Sequence, residues 1–192
     1  MTPTEIALIL FGLVVVILLG LAGYMYIRRQ NLRQRFGPEY DRAVAEKESA
    51  LAADKELRDR EKRHSLLELK ELPDDARQWY AEQWQELQAR FVESPEESVG
   101  AADELVTRLI AERGYPIKDY DEQVTLLSVE HARTIGDYRE AHDIAQRHAR
   151  GEADTEELRQ AIVHYRVLVT DLLGQDPVPH QEEPTNRSRR GA

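Results

Sequence analysis

The chain predicts an all-α protein: an N-terminal transmembrane helix, a charged connecting helix, then a bundle of about four to five short helices. Three observations carry this. Ile6 to Ile27 is 22 residues without a charge, which at about 1.5 Å per residue covers the ~30 Å hydrocarbon core of a bilayer. Downstream, apolar residues recur at helical spacing and no run alternates with the two-residue period of a strand. Proline, glycine and capping residues then punctuate the chain at intervals suited to short helices.

Residues 1–36 form the anchor and its basic juxtamembrane segment. Ile6, Phe11, Leu18 and Ile27 belong to the apolar run, Tyr24 and Tyr26 sit where an interfacial aromatic belt lies, and Arg28, Arg29, Arg33 and Arg35 follow at once. A cleaved signal would carry its basic residues before a shorter apolar run. Here Met1 to Glu5 has no Lys or Arg. Although Gly20-Leu21-Ala22 is the kind of small triplet a signal peptidase accepts, the segment therefore reads as an uncleaved anchor. Arginines on the C-terminal flank predict an inner (plasma) membrane protein with its N-terminus outside and its large C-terminal part in the cytoplasm. Gly12, Gly20 and Gly23 form no GxxxG, so no helix pairing is read from them.

Gly37-Pro38 is the first break, because glycine ends a helix readily and proline suits the first turn of the next. Residues 37–72 read as a charged, solvated connecting helix held by opposite-charge neighbours. Its best heptad frame is Ala43, Ala50, Ala53, Leu57, His64 and Leu67, interrupted by Glu46 and Arg60, which is too weak for a coiled coil.

Residues 73–174 read as the bundle, expected to fold as a unit from Pro73 to Leu173. Pro73, Asp74 and Asp75 open a helix to about Val92. Ser94-Pro95-Glu96-Glu97 is a capping box opening a helix that stops at Gly114. Asp119 to Glu122 opens a short helix to about Leu127, and Ser128 caps the next, which runs to Gly151. Asp154-Thr155-Glu156-Glu157 opens the last, ending near Leu173. Helical-wheel stripes support each: Ala76, Tyr80, Trp84, Leu87 and Phe91 in one, Val99, Ala102, Val106, Leu109 and Ile110 in another. The last helix carries Leu158, Ile162, Tyr165, Val169 and Leu172 on one side, with Val163 and Val167 on the other. It should be central in the bundle or half of an oligomer contact. Residues 175–192 hold three prolines and little to bury, and are expected to be disordered.

Composition narrows the function classes. With 36 acidic against 26 basic residues the chain carries a formal charge of -10, a field that repels a phosphate backbone and argues against nucleic acid as a partner. There is no cysteine, so thiol catalysis, disulfides and cysteine-ligated metals are excluded. The six histidines are then the remaining place for a metal or acid-base site. His131 and His142 share an apolar face with Ile135 and Tyr138, but 11 residues of helix hold them about 16 Å apart. Each is expected to be a hydrogen-bonded core histidine, and His64, His148 and His180 solvated ones. Glu61-x-x-His64 has the spacing of di-iron carboxylate bundles but lacks its required second copy. No glycine-rich phosphate loop, HExxH or nucleophile elbow is present. The expectation is no cofactor, no metal and no enzymatic activity.

Tryptophan is more informative. Trp84 lies inside its stripe, whereas Trp79 lies about 100° away at the boundary. Trp79 is a candidate partner-binding anchor, the role in which exposed tryptophan is over-represented. Tyr115, in the aromatic turn Gly114-Tyr115-Pro116, is the second candidate.

Arg35-Phe36-Gly37-Pro38-Glu39-Tyr40-Asp41, Gln88-Ala89-Arg90-Phe91-Val92, Arg113-Gly114-Tyr115-Pro116 and Thr155-Glu156-Glu157-Leu158-Arg159-Gln160-Ala161 span most of the chain. In these words it resembles an uncharacterised family of small bacterial single-pass membrane proteins with a helical cytosolic domain. The resemblance implies location and architecture and brings no activity. The outline is also similar to the b subunit stalk of ATP synthase, from which Pro73, Pro95, Gly114 and Pro116 depart. The expected function is non-enzymatic recruitment or scaffolding of a protein partner at the lipid bilayer. The alternative is a self-assembling envelope- or stress-associated factor whose partner is a second copy of the chain; an enzyme or metal protein comes third.

Overall fold

The computed structural model describes residues 3–47 and 49–174, with side chains from Phe11 onward. The expected disorder of 175–192, together with His180, lies outside the described residues. Eight helices are present among the described residues and no strand: α1 (Pro3–Phe36), α2 (Pro38–Glu46), α3 (Ala50–His64), α4 (Asp74–Phe91), α5 (Pro95–Glu112), α6 (Tyr120–Leu127), α7 (Ile135–Ala149) and α8 (Thr155–Leu172). The all-α class holds. The bundle, however, comprises seven helices after α1, and the correction comes from the connecting segment.

That segment is two helices and a strap. α2 and α3 pack against each other and against the end of α1, and α3 also meets α6. Ala43, Ala53, Leu57 and His64 are buried, and so is the apparent interruption Arg60. The weak heptad frame is in fact an amphipathic face with a charged residue at its centre. A second small core forms there from Leu32, Phe36, Tyr40, Ala43, Ala53, Leu57, Val129 and Ala132. The expectation of a solvated helix fails because α1 extends beyond its apolar run and supplies Leu32 and Phe36 as partners.

After α3 the chain runs extended to α4 and lies across the end of α5, where Lys70 N–H donates to the Arg113 carbonyl at 3.0 Å. The approach is close. Gly114 takes a φ of +94°, and a Cβ there would stand 2.6 Å from the Glu68 carbonyl oxygen. Glycine is required on both counts. Leu72 is buried in the main core, with Leu67 and Leu69 packed on it. That core therefore begins before Pro73.

The main core lies among α4, α5, α7 and α8. Tyr80, Trp84 and Leu87 of α4 face Val106, Leu109 and Ile110 of α5, and Leu158, Tyr165 and Leu168 of α8 fill the centre. α8 packs on both α5 and α7, with Ala161, Ile162, Val167 and Val169 also buried. Its two-sided apolar pattern is that of a helix with neighbours on both sides.

Capping follows chemistry in two of four places. Asp119 accepts from Glu122 N–H, and Asp154 forms a full capping box with Glu157. Ser94 makes no side-chain cap bond, leaving Pro95 at the start of α5. Ser128 does not cap α7, which begins at Ile135; it is buried at the end of α6 and donates to the Thr125 carbonyl at 2.7 Å. A tight turn over 129–134 separates the two helices, so His131 lies outside the helix that carries His142.

Candidate functional site

α1 is the one helix among the described residues long and apolar enough to cross a membrane. Phe11, Leu18, Tyr24, Tyr26 and Ile27 are all exposed along it, with no protein covering the apolar window. Ile6 lies in α1, with its side chain outside the described residues. The apolar stripe that a soluble helix buries is thus left for another medium.

Below the apolar run, α1 is locked to the domain. Tyr40 is the hub: its hydroxyl accepts from Arg29 Nε at 2.8 Å and donates to Asp54 at 3.0 Å, while Arg33 lies over its ring. Glu39, its neighbour, has a side chain only 5% exposed. Both guanidinium arms of Arg139 from α7 grip its carboxylate, and Arg60 of α3 approaches at 3.7 Å. Arg60 also reaches Glu56 and the Ser128 hydroxyl. Bidentate geometry and a second cation supply the compensation that a buried carboxylate needs. Arg35 pairs with Glu61 at 2.8 Å. Gly37, at φ +46°, makes the turn that brings α2 back under α1. No wheel drawn on one helix reveals this site, because its charges come from α2, α3 and α7. The only local signal is a carboxylate beside an aromatic directly after the Gly-Pro break.

Trp79 and Tyr115 have opposite fates. Trp79 is 40% exposed, edge-on to Tyr80 with centroids 4.9 Å apart, and Arg108 of α5 lies 6.0 Å from its ring centre. With Gln83, Glu86, Ala101, Leu105 and Arg108 it lines an open groove of about 180 Å³ between α4 and α5. That volume is below the roughly 300–1,000 Å³ of sites that engulf small molecules; it suits a side chain presented by another protein. Tyr115 is 3% exposed. Its hydroxyl donates to Glu130 at 3.3 Å and its ring sits between His64 and His131. It joins the end of α3 to the 129–134 turn and is nearly closed to solvent.

The histidines tie elements together through carboxylates. His131 Nδ1 is 2.8 Å from Asp171, which also accepts from Thr134; His142 Nδ1 is 2.9 Å from Asp103, which also accepts from Tyr165 at 2.5 Å. Burial pushes both aspartates up, yet the hydrogen bonds outweigh it and hold Asp103 and Asp171 below the usual carboxylate value. His164 bridges Asp137 at 2.7 Å and Glu140 at 3.2 Å, and these partners raise it. His64 is buried, not solvated, and burial lowers its pKa despite Glu130 nearby. No group of three or more His, Asp or Glu is placed to hold one metal ion among the described residues. The arrangement is one of cross-braces in which His131, His142 and His164 each engage a carboxylate of another element through Nδ1.

No family model matches this chain, and neither do any curated protein or any solved structure.

Proposed function

We propose that the protein is a membrane-anchored helical platform that recruits a protein partner at the cytoplasmic face of the inner membrane. The observation that carries this reading is the junction at Glu39. A flexible tether would need no buried carboxylate gripped by Arg139 and Arg60, whereas a platform held at a defined height and orientation does. The Trp79 groove supplies the docking feature: a rigid aromatic, partly exposed, with Arg108 and Glu104 beside it. The arginines that follow the apolar run support a cytoplasmic domain.

The test is co-purification from membranes with the intact chain, comparing wild type with Trp79→Ala. Hot-spot truncation commonly costs about 2 kcal/mol or more of binding, so the variant should lose the co-purifying protein while its melting temperature stays within a few degrees. An unchanged set of co-purifying proteins removes Trp79 from recognition. Recovery of only a second copy of this chain favours the self-assembling alternative.

A further inference from the structure

The four arginines after the apolar run do not share one role. Arg29 is spent on Tyr40, Arg33 on Asp41 and the Tyr40 ring, and Arg35 on Glu61. Among the described residues, the one interaction of the Arg28 guanidinium is with the Tyr24 ring, at 5.8 Å. A fifth cation joins it from elsewhere in the chain. Arg58 of α3 lines, with Arg28, Asn31, Leu32, Arg35 and Glu61, a cleft of about 210 Å³ open to the side of α1. Arg58 makes no ion pair or hydrogen bond among the described residues. With Arg35 neutralised by Glu61, two uncompensated guanidiniums converge there beside the Asn31 amide.

The height of the cleft follows from how α3 lies on α1. Asp54 meets Tyr40 at the level of Arg29, and Glu61 meets Arg35. The two helices therefore run side by side in the same direction. One turn back from Asp54, Leu51, 63% exposed, comes to about the level of Tyr26. The cleft begins one residue after the apolar run ends and extends roughly 10 Å along α1, spanning the headgroup layer of about 5–7 Å on each side of a bilayer.

We infer that this cleft is a binding site for the phosphate headgroup of an anionic phospholipid, with Arg28 and Arg58 as the paired cations, Asn31 as a neutral donor, and Leu51 set into the interface beside it. Guanidiniums are suited to this, because their planar N–H forks match phosphate oxygens. Orientation of the anchor by flanking arginines accounts for Arg28 but not for Arg58, which is thirty residues away and reaches the same place only through the fold. The inference rests on the membrane-anchored reading above.

The test uses the full chain in nanodiscs of phosphatidylcholine alone or mixed with phosphatidylglycerol, followed by native mass spectrometry of the lipids that stay bound on release. Wild type should retain phosphatidylglycerol in preference to phosphatidylcholine, and inorganic phosphate at millimolar level should not displace it. Arg58→Gln and Arg28→Gln should each reduce the preference about fivefold, the equivalent of about 1 kcal/mol per surface arginine, with unchanged melting. Arg166→Gln, an exposed arginine on α8, should not. Retention by Arg58→Gln equal to that of wild type overturns the proposal, as does displacement by inorganic phosphate, which would mark a soluble-phosphate site instead. A chain that fails to remain in the nanodisc overturns the anchored reading itself; one that remains without lipid preference overturns this proposal alone.

Discussion

Glu39 and the two tryptophans show how much a single side chain decides here. Glu39→Gln keeps the shape of the side chain and removes its charge, leaving Arg139 and Arg60 facing each other across a site that is nearly closed to water. Breaking a buried pair in this way costs about 3–5 kcal/mol; with the Arg139 side chain 18% exposed, the lower end is expected. Urea unfolding of the full chain in detergent measures it, and a loss under about 1 kcal/mol would show a solvated pair. Trp84 is buried among α4, α5 and α8 neighbours, so Trp84→Ala should cost about 3–5 kcal/mol. Trp79→Ala should leave the same transition nearly in place, and equal destabilisation by the two would make Trp79 a core residue. The wheel separated these two tryptophans correctly, because burial within one helix follows its periodicity. It had no purchase on Tyr115, which lies in a turn, where no period says which way a ring points.

At the scale of the element, caps and the strap offer paired comparisons. Asp154→Ala removes the side-chain half of a capping box from the central helix α8, the acceptor for the Glu157 N–H, and should cost about 0.5–2 kcal/mol. Ser94→Ala, at the formally similar start of α5, should be near neutral, because no side-chain cap bond is present there. Thermal melts of the two variants check the contrast, and a large loss at Ser94 would contradict it. Gly114→Ala introduces a Cβ 2.6 Å from the Glu68 carbonyl oxygen at a φ of +94°. It should destabilise by more than about 1 kcal/mol and loosen the strap, read as faster hydrogen exchange at Lys70 N–H. Helices α4, α5, α6 and α8 were legible with their ends because proline, aspartate and glycine act locally. The start of α7 was misplaced, since Ser128 is equally good at ending α6, and only the buried environment that receives its hydroxyl chooses.

The whole molecule responds to pH through its cross-braces. His164 is raised, first by its hydrogen bond to Asp137. Its contribution is complete below the ordinary histidine value of 6.5 and fades as pH rises through its higher folded value. Asp103 and Asp171 are lowered, so their contributions hold above the ordinary value of 3.8 and fade as pH falls through their folded values. His64, lowered by burial, costs stability once pH drops below 6.5. The urea midpoint should therefore decline in acid and also soften as pH rises past 6.5. His164→Gln should abolish the decline that begins at pH 6.5 while leaving the acid one and the tyrosine-linked loss above pH 10, and an unchanged slope just above 6.5 would show that His164 does not couple α7 to α8.

Truncation probes the same scale. A fragment starting at Pro73 loses Leu72 and the packing of Leu67 and Leu69 from the main core, and it uncovers Val129 and Ala132. It should melt well below a fragment starting at Arg29, which keeps Leu32 and Phe36. Equal melting temperatures would mean that α2 and α3 contribute nothing to the bundle.

Sequence alone determined that this protein is helical, that its first helix is long and apolar enough to cross a membrane, and where most later helices begin and end. Each of these follows from near neighbours along the chain: a 22-residue uncharged run, a period of 3.6, a proline or glycine at a boundary. Tertiary structure decided how the charged segment packs. Glu39, Arg60 and Arg139, or Arg28 and Arg58, are far apart in sequence and unremarkable one by one in a chain rich in charge. They become a locked joint and a cationic cleft only when α1, α2, α3 and α7 are brought together. Electrostatic partnership depends on distance through space and on exclusion of water, and neither is encoded in any local pattern.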